Sequence, residues 1–530
     1  MSSSKRWAKV AAVAAAAALA LSACGGGADK DTTETTGAAG DGAPTGTLNL
    51  GVAYETTNYD PSTTSSALAM GSNWHVMEGL YEFDMATYEV YPALADGELK
   101  QVSETEYEAT LRADAKFSDG TPVTTKDYLE SWARTTDATS IYQQFFAMVD
   151  SVEAKDDSTL VFKLKYPFAN LAQRLVNVKV IPASSTQEEM TAFPVGTGPY
   201  KYESITDTAI EAVPNEFYNG SKPATVEKMH WDILKDDSAR LSAALGGTID
   251  IMETVPSALK SQVEGAGWTI QETPGYNNAF LMFNTSKAPF DKPEVRRAFH
   301  QAIDRQKLVE QGLAGDAVAS TSFLPEVNPA YKKAATQFDF NTEAAKAAFA
   351  DAGLTEITLI TTDHAWIANL IPQVKQDLEA AGLKVNVQSM ASSDLYANYA
   401  DVDAATYDVA MAPGDPSVFG QDPGIIIDWW YGDNVWMQTR CPWKESAEWQ
   451  KLHGLMDEAL AAEGDEQQKK WNECFDIIAD NAVLYPVVHV KTVSASWDDP
   501  STAPNGEALD GFKGIGTTSM SFRGVATVKA

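Results

Sequence analysis

Three observations along this 530-residue chain predict an α/β fold. Between Asn341 and Asp415, short apolar runs alternate with stretches of helical spacing. Such alternation builds a parallel sheet covered by helices through right-handed crossovers. Thr47 to Val52 and Ser158 to Lys165 alternate apolar and polar residues, the period of a half-buried strand. After the N-terminal segment no stretch is apolar for 18 residues, so the body folds in water rather than in a bilayer.

Taken in order, residues 1–23 read as a secretory signal. Lys5, Arg6 and Lys9 precede a Val/Ala/Leu run from Val10 to Leu21, and Leu21-Ser22-Ala23-Cys24 supplies small residues for cleavage. The apolar run is shorter than the roughly 20 residues a bilayer requires. Residues 24–46 carry Gly, Ala, Thr, Asp and Glu with almost no large apolar side chain, the composition of a flexible tether spanning roughly 25 Å. The folded body starts at Thr47. Ser158 to Lys165 places Leu160, Phe162 and Leu164 on one face. A helix opening at Thr125, capped by Thr124 or Thr125, groups Tyr128, Leu129 and Trp132.

Asn341 caps an Ala-rich helix that ends at Gly353. A strand at Ile357 to Ile360 follows, then a helix from Asn369 to Ala381 and a strand from Lys384 to Gln388. A short helix over 394–400 leads to a third strand from Tyr407 to Met411. Ligands of such sheets bind beyond the carboxyl ends of the strands. Thr362 to Trp366 and Pro413 to Pro416 emerge there.

The net charge of −33, or −36 once the three signal cations are lost, argues against nucleic acid, which demands basic patches. It equally disfavours lying on anionic lipid. Catalytic signatures are poor. Ser257-Ala258-Leu259-Lys260 has S-x-x-K spacing without its partner motifs, and Gly196-Thr197-Gly198-Pro199 fails as a dinucleotide loop. The six histidines are scattered without metal-ligand spacing. No cofactor or metal is expected. With Cys24 set apart as the first residue after the cleavage site, Cys441 and Cys474 are a candidate disulfide in an oxidising compartment. Trp429, Trp430, Trp436 and Trp443 crowd the segment after Asp415. They offer either core packing or a stacking wall for sugar rings and peptide side chains.

Leu-Ser-Ala-Cys resembles the bacterial lipobox, which implies lipidation of Cys24. Six further segments, in consistent order, resemble the family 5 extracytoplasmic solute-binding proteins of ABC importers. They are Glu78-Gly79-Leu80-Tyr81-Glu82, the run Leu111 to Thr124 around Lys116-Phe117-Ser118-Asp119-Gly120, and Val195-Gly196-Thr197-Gly198-Pro199-Tyr200. Gly247-Thr248-Ile249-Asp250, Phe283-Asn284-Thr285 with Ala288-Pro289-Phe290, and Val295 to Arg305 complete the set.

The resemblance implies a two-lobed periplasmic-binding-protein-like fold (type II, cluster C) with an extra inserted subdomain. Lobe I is expected over 47–81, 195–284 and 490–530, the inserted subdomain over 82–194, and lobe II over 285–489. In peptide-binding members an added ligand strand lies against two main-chain segments, matched here by Val52 to Thr56 and Met411 to Asp415. Asp415 is then the partner of the ligand amine, and Pro413 removes one donor from that edge.

The candidate ligand-binding residues are Tyr54, Glu55, Tyr142, Asn278, Phe280, Trp366, Asp415, Phe419, Trp429, Trp430 and Trp436. Expected partners are an oligopeptide first and an oligosaccharide next, ABC permease subunits, and a membrane reached through the anchor. The protein is expected to be a monomer, to work outside the cytoplasm and to catalyse nothing. A secreted hydrolase and a sensory or adhesion lipoprotein are the readings from other classes.

Overall fold

A computed structural model describes residues 43–85, 87–138, 140–402, 407–503, 506–512, 514 and 525–529. The signal segment, Cys24 and most of the tether lie outside the described residues. Two large sheets organise the body. The first has seven strands in the order Thr269–Thr273, Thr492–Ser496, Ile251–Met252, Thr47–Val52, Lys228–Ile233, Ala209–Pro214 and Tyr200–Ile205. The second has six, in the order Ala317–Ala319, Leu484–Val490, Asn278–Phe283, Val409–Gly414, Glu356–Thr362 and Lys384–Met390.

The period-2 pattern explains how the second sheet buries both faces. Ala279, Leu281, Phe283, Leu359, Val409 and Met411 turn toward the helices Pro293–Ala302, Thr342–Asp351 and Ala365–Ala380. The alternate residues Phe280, Met282, Ile360, Ala410 and Ala412 turn to the opposite face. There they join Pro423–Tyr431, Ala447–Leu460 and Gly464–Asn481 in the largest apolar core. The inserted segment forms its own antiparallel sheet, Lys100–Ser103, Glu106–Thr110, Thr159–Leu164 and Val149–Ala154. Its apolar residues, among them Phe145, Leu160 and Phe162, continue that same core.

Sequence expectations and structure agree on the parallel unit. Glu356–Thr362 pairs in parallel with both Lys384–Met390 and Val409–Gly414. Asn341 caps its helix by accepting from Ala344 N at 3.0 Å. Thr124 and Asp127 form a capping box at Thr125–Thr135. Several boundaries moved, two of them by more than two residues. The helix expected from Asn369 begins at Ala365 and carries Pro372 inside it. The strand expected to end at Met411 runs on to Gly414, with Pro413 paired opposite Ala279.

One segment also changes lobe. Asn278–Phe283, expected in lobe I, pairs on both sides within the six-stranded sheet. The crossing between sheets therefore lies at residues 274–277. The return crossing is Lys491, between Leu484–Val490 and Thr492–Ser496. The two crossings run as one antiparallel ribbon: Thr273 pairs with Thr492, Asn278 with His489, and Val490 N donates to Asn277 O at 2.7 Å. A Cβ on Gly275 would lie 2.5 Å from Val490 O, so glycine permits this close approach.

Candidate disulfide residues Cys441 and Cys474 are both free and buried. Cys441 Sγ instead donates to Trp436 O at 3.1 Å. Burial raises both thiol pKa values, which leaves them protonated and inert.

Candidate functional site

The ends of the two parallel strands and the segment after Thr47–Val52 converge between the sheets. From the seven-stranded side, Ala53 N donates to Glu253 Oε2 at 3.0 Å. Glu253 is buried, and that burial pushes its carboxyl up to about 7, against the opposing pull of the Ala53 N–H and of Arg240. Arg240 itself donates to the backbone carbonyls Leu234 O, Lys235 O, Glu253 O and Thr254 O and pairs with the Asp237 carboxylate. Tyr54 follows Ala53 and stands 6.3 Å, ring to ring, from His364, just beyond the strand Glu356–Thr362 of the other sheet. Tyr54 and Glu253 also border a small crevice with Ser72 and Trp231.

From the six-stranded side comes Asp415, immediately beyond Val409–Gly414. Its Oδ1 accepts from Ser417 N at 3.0 Å and Ser417 Oγ at 2.6 Å, capping the single turn Pro416–Phe419. Parallel pairing of this strand with Glu356–Thr362 stops at Met411 opposite Thr361. Ala412 to Asp415 thus extend past their parallel neighbour. Tyr276 comes off the crossing ribbon beside Asp415, tied in by Asn278, whose Nδ2 donates to Tyr276 O (3.2 Å) and Gly414 O (3.0 Å). Asn278 Oδ1 and His364 Nδ1 are buried polar atoms without a hydrogen-bond partner among the described residues, whereas Tyr276 OH lies beside Asn328 and Gln421. Orphaned polar groups of this kind, collected in one cleft, are what a polar ligand would satisfy. The Asp415 charge adds to burial in holding the phenols of Tyr54 and Tyr276 neutral.

The expected site residues divide between cleft and core. Tyr54, Asn278 and Asp415 come together as above. Glu55 is exposed and paired with Lys235 at 2.7 Å, on its own lobe's surface. Trp366 sits half-buried against the core under Ala365–Ala380.

The stacking wall is not free-standing. Trp430 and Trp436 are 2 % and 6 % exposed and pack edge-on against Phe280, at 5.7 and 6.0 Å. Arg440 lies over the Trp436 ring. Phe419 is wedged between Tyr142 (5.6 Å) and Trp429 (4.7 Å), and Tyr142 donates its hydroxyl to Thr64 O. These six aromatics join the inserted segment to the second sheet. Beside them runs the buried ion pair Arg174–Asp422 at 3.0 Å.

Sequence reading missed Tyr276, His364 and Glu253 as cleft residues. His364 lay inside a segment flagged for its position, whereas the other two carried no local signal. The S-x-x-K pair has a structural role: Ser257 and Lys260, on the first lobe, both bond Asp316 of the second, and Lys260 also pairs with Glu272. No group of His, Cys, Asp and Glu among the described residues could hold a metal ion. No described helix is long and apolar enough to cross a membrane.

Residues 89–437 match the bacterial extracellular solute-binding proteins, family 5 Middle. The chain is 25% identical over 452 residues to the probable D,D-dipeptide-binding periplasmic protein DdpA of Escherichia coli (strain K12), covering 80% of this chain and 85% of that protein. Among solved structures it is similar to the periplasmic binding protein DppA of Helicobacter pylori in complex with peptide STSA. There the TM-score is 0.79 at 20% identity, covering 91% of this chain and 98% of that one. It is also similar to NikA of Staphylococcus aureus in complex with Ni(L-His)2, with TM-score 0.73 at 17% identity over 85% and 94%. Two lobes joined by a crossing ribbon, with orphaned polar groups between them, accord with these matches. The chain belongs to the family 5 bacterial extracellular solute-binding proteins.

Proposed function

We propose that this protein is the lipid-anchored substrate-binding component of an ABC importer, capturing extracellular oligopeptides and delivering them to a membrane permease. The observation that carries the peptide reading is Asp415. Its carboxylate stands at the end of a strand whose last residues have lost their parallel neighbour, flanked by buried polar atoms without partners. A peptide brings both things such a site wants. Its ammonium pairs with the carboxylate, and its backbone N–H and C=O groups extend the strand. Pro413 N cannot donate, so the added strand is held through the remaining groups of Ala412 to Asp415.

The protein named DdpA and the DppA complex with STSA support the peptide class by likeness. The sugar alternative loses its main support, because the tryptophans that would stack on sugar rings are used in packing. Ligand capture closes the lobes about the ribbon at 274–277 and Lys491. The permease then reads the closed form.

The Leu21 to Cys24 lipobox supports the anchor, which keeps a binder from diffusing away once two or more acyl chains are attached. Labelling cells with a radioactive fatty acid tests it: the protein should incorporate label, and Cys24→Ala should not. Native mass spectrometry of the gently purified full chain tests the ligand class. A bound mass resolving to peptides is expected, and a carbohydrate mass overturns the reading. Turnover of added peptide would favour the hydrolase instead.

A further inference from the structure

Both crossings between the lobes run beside one cluster of charged side chains. Asp316 of lobe II directly precedes the strand Ala317–Ala319, and its carbonyl accepts from Lys491 N, the return crossing itself, at 2.9 Å. Its carboxylate reaches across to lobe I, where Oδ1 takes the Lys260 ammonium and Oδ2 the Ser257 hydroxyl. Lys260 goes on to Glu272 at 2.5 Å, and Glu272 takes the Lys491 ammonium at 2.7 Å. Glu272 lies in Thr269–Thr273, the strand that leads into the first crossing. Alternating charges thus ring the return crossing. The two ammoniums hold the Glu272 carboxyl down at about 2, so it stays ionised across the physiological pH range.

The S-x-x-K spacing serves this contact. Ser257 and Lys260 sit three apart, where a tight turn passes into the helix Lys260–Gly265. Side chains at that spacing share a face, so one carboxylate can engage both. The contact is shielded: the side chains of Asp316 and Lys260 are 7 % and 17 % exposed. It is also made in an arrangement in which the lobes meet, with Tyr54 6.3 Å from His364 across the cleft. Rotation of one lobe against the other displaces Ser257 and Lys260 relative to Asp316. A separation of about 1 Å already takes such partners out of hydrogen-bond range.

We propose that Asp316, with Ser257 and Lys260, is a latch across the lobes: it is made when the lobes meet and broken when they part, and so sets the ligand-free balance between closed and open forms. A contact present in one form only shifts that balance by its own worth. Ligand affinity then depends on charges that touch no ligand, because the fraction of protein ready to hold ligand scales the apparent dissociation constant. The affinity consequence rests on the reading of peptide capture by closure; the shape of the ligand-free protein does not.

Small-angle X-ray scattering of the ligand-free full chain tests the latch at about 0.05 M and about 0.5 M salt. Lys491 and Glu272 are 32 % and 38 % exposed, so salt reaches the ring and weakens it. Wild type should be compact at low salt and expand at high salt. Asp316→Asn and Lys260→Met should be expanded at both. The double variant should expand no further than either, since the same contact is lost in each. Ser257→Ala, which keeps both charges, should fall between. Retention of a free-amine tripeptide pool, counted by mass spectrometry, should drop about fivefold in Asp316→Asn.

Radii of gyration of both single variants equal to wild type at low salt overturn the latch. Where a variant fails to fold, wild type decides alone, and a radius unmoved by salt overturns it. Wild type that retains no peptide overturns the peptide reading, and the scattering still decides the latch.

Discussion

Replacing Glu253 by Gln should stabilise the protein at pH 8 and leave it nearly unchanged at pH 4. Glu253 is 2 % exposed, and burial raises its carboxyl from 4.5 to about 7. That difference corresponds to roughly 3 kcal/mol of preference for the protonated acid in the native state. Below the unfolded value the acid is protonated in both states, and its contribution is fully present. As pH rises from about 4.5 through about 7, the unfolded chain ionises first and stability is lost. Above about 7 the loss is complete. Gln mimics the protonated acid and can still accept the Ala53 N–H, so the variant avoids the loss. Urea unfolding of both proteins between pH 4 and 8 reads the difference directly. It should grow from near zero to as much as ~3 kcal/mol. A difference constant across this range would refute the reasoning, because a pH-independent offset reports packing alone.

Three further outcomes follow from named contacts. Asp415→Asn should weaken binding of free-amine peptides by about tenfold or more, by titration calorimetry, with little change in melting temperature because the amide oxygen can still cap Ser417 N. Gly275→Ala pushes a methyl toward Val490 O, 2.5 Å from the ideal Cβ position. Spreading the ribbon should cost about 1–3 kcal/mol in denaturant unfolding. Asp422→Ala strands the Arg174 guanidinium, which is fully buried, and should destabilise the protein by about 3–5 kcal/mol in the same assay.

The legible parts of this chain were those where one local pattern decides the outcome. Asn341, Thr124 and the alternation at Leu160, Phe162 and Leu164 each specify their element within a few residues. Asp415 was legible because a strand end in a parallel sheet has a known direction. The lobe of Asn278–Phe283 was not: a strand apolar from Ala279 to Phe283 suits either sheet, and its pairing with residues about 130 and 210 positions away decides it. The tryptophans misled for a related reason. Composition cannot distinguish a ring facing a cleft from one facing Phe280. Tyr276 and Glu253 meet near Asp415 and Tyr54 only through tertiary contacts, and nothing in their neighbours' sequence announces them.

Equilibrium titration of the purified full chain with defined tri- to pentapeptides, followed by mass analysis of the recovered ligand, tests the central claim most directly. Saturable binding of one peptide per protein, with the peptide recovered intact, is the predicted result. Cleaved peptide, or saturable binding of oligosaccharides with none of peptides, would contradict it.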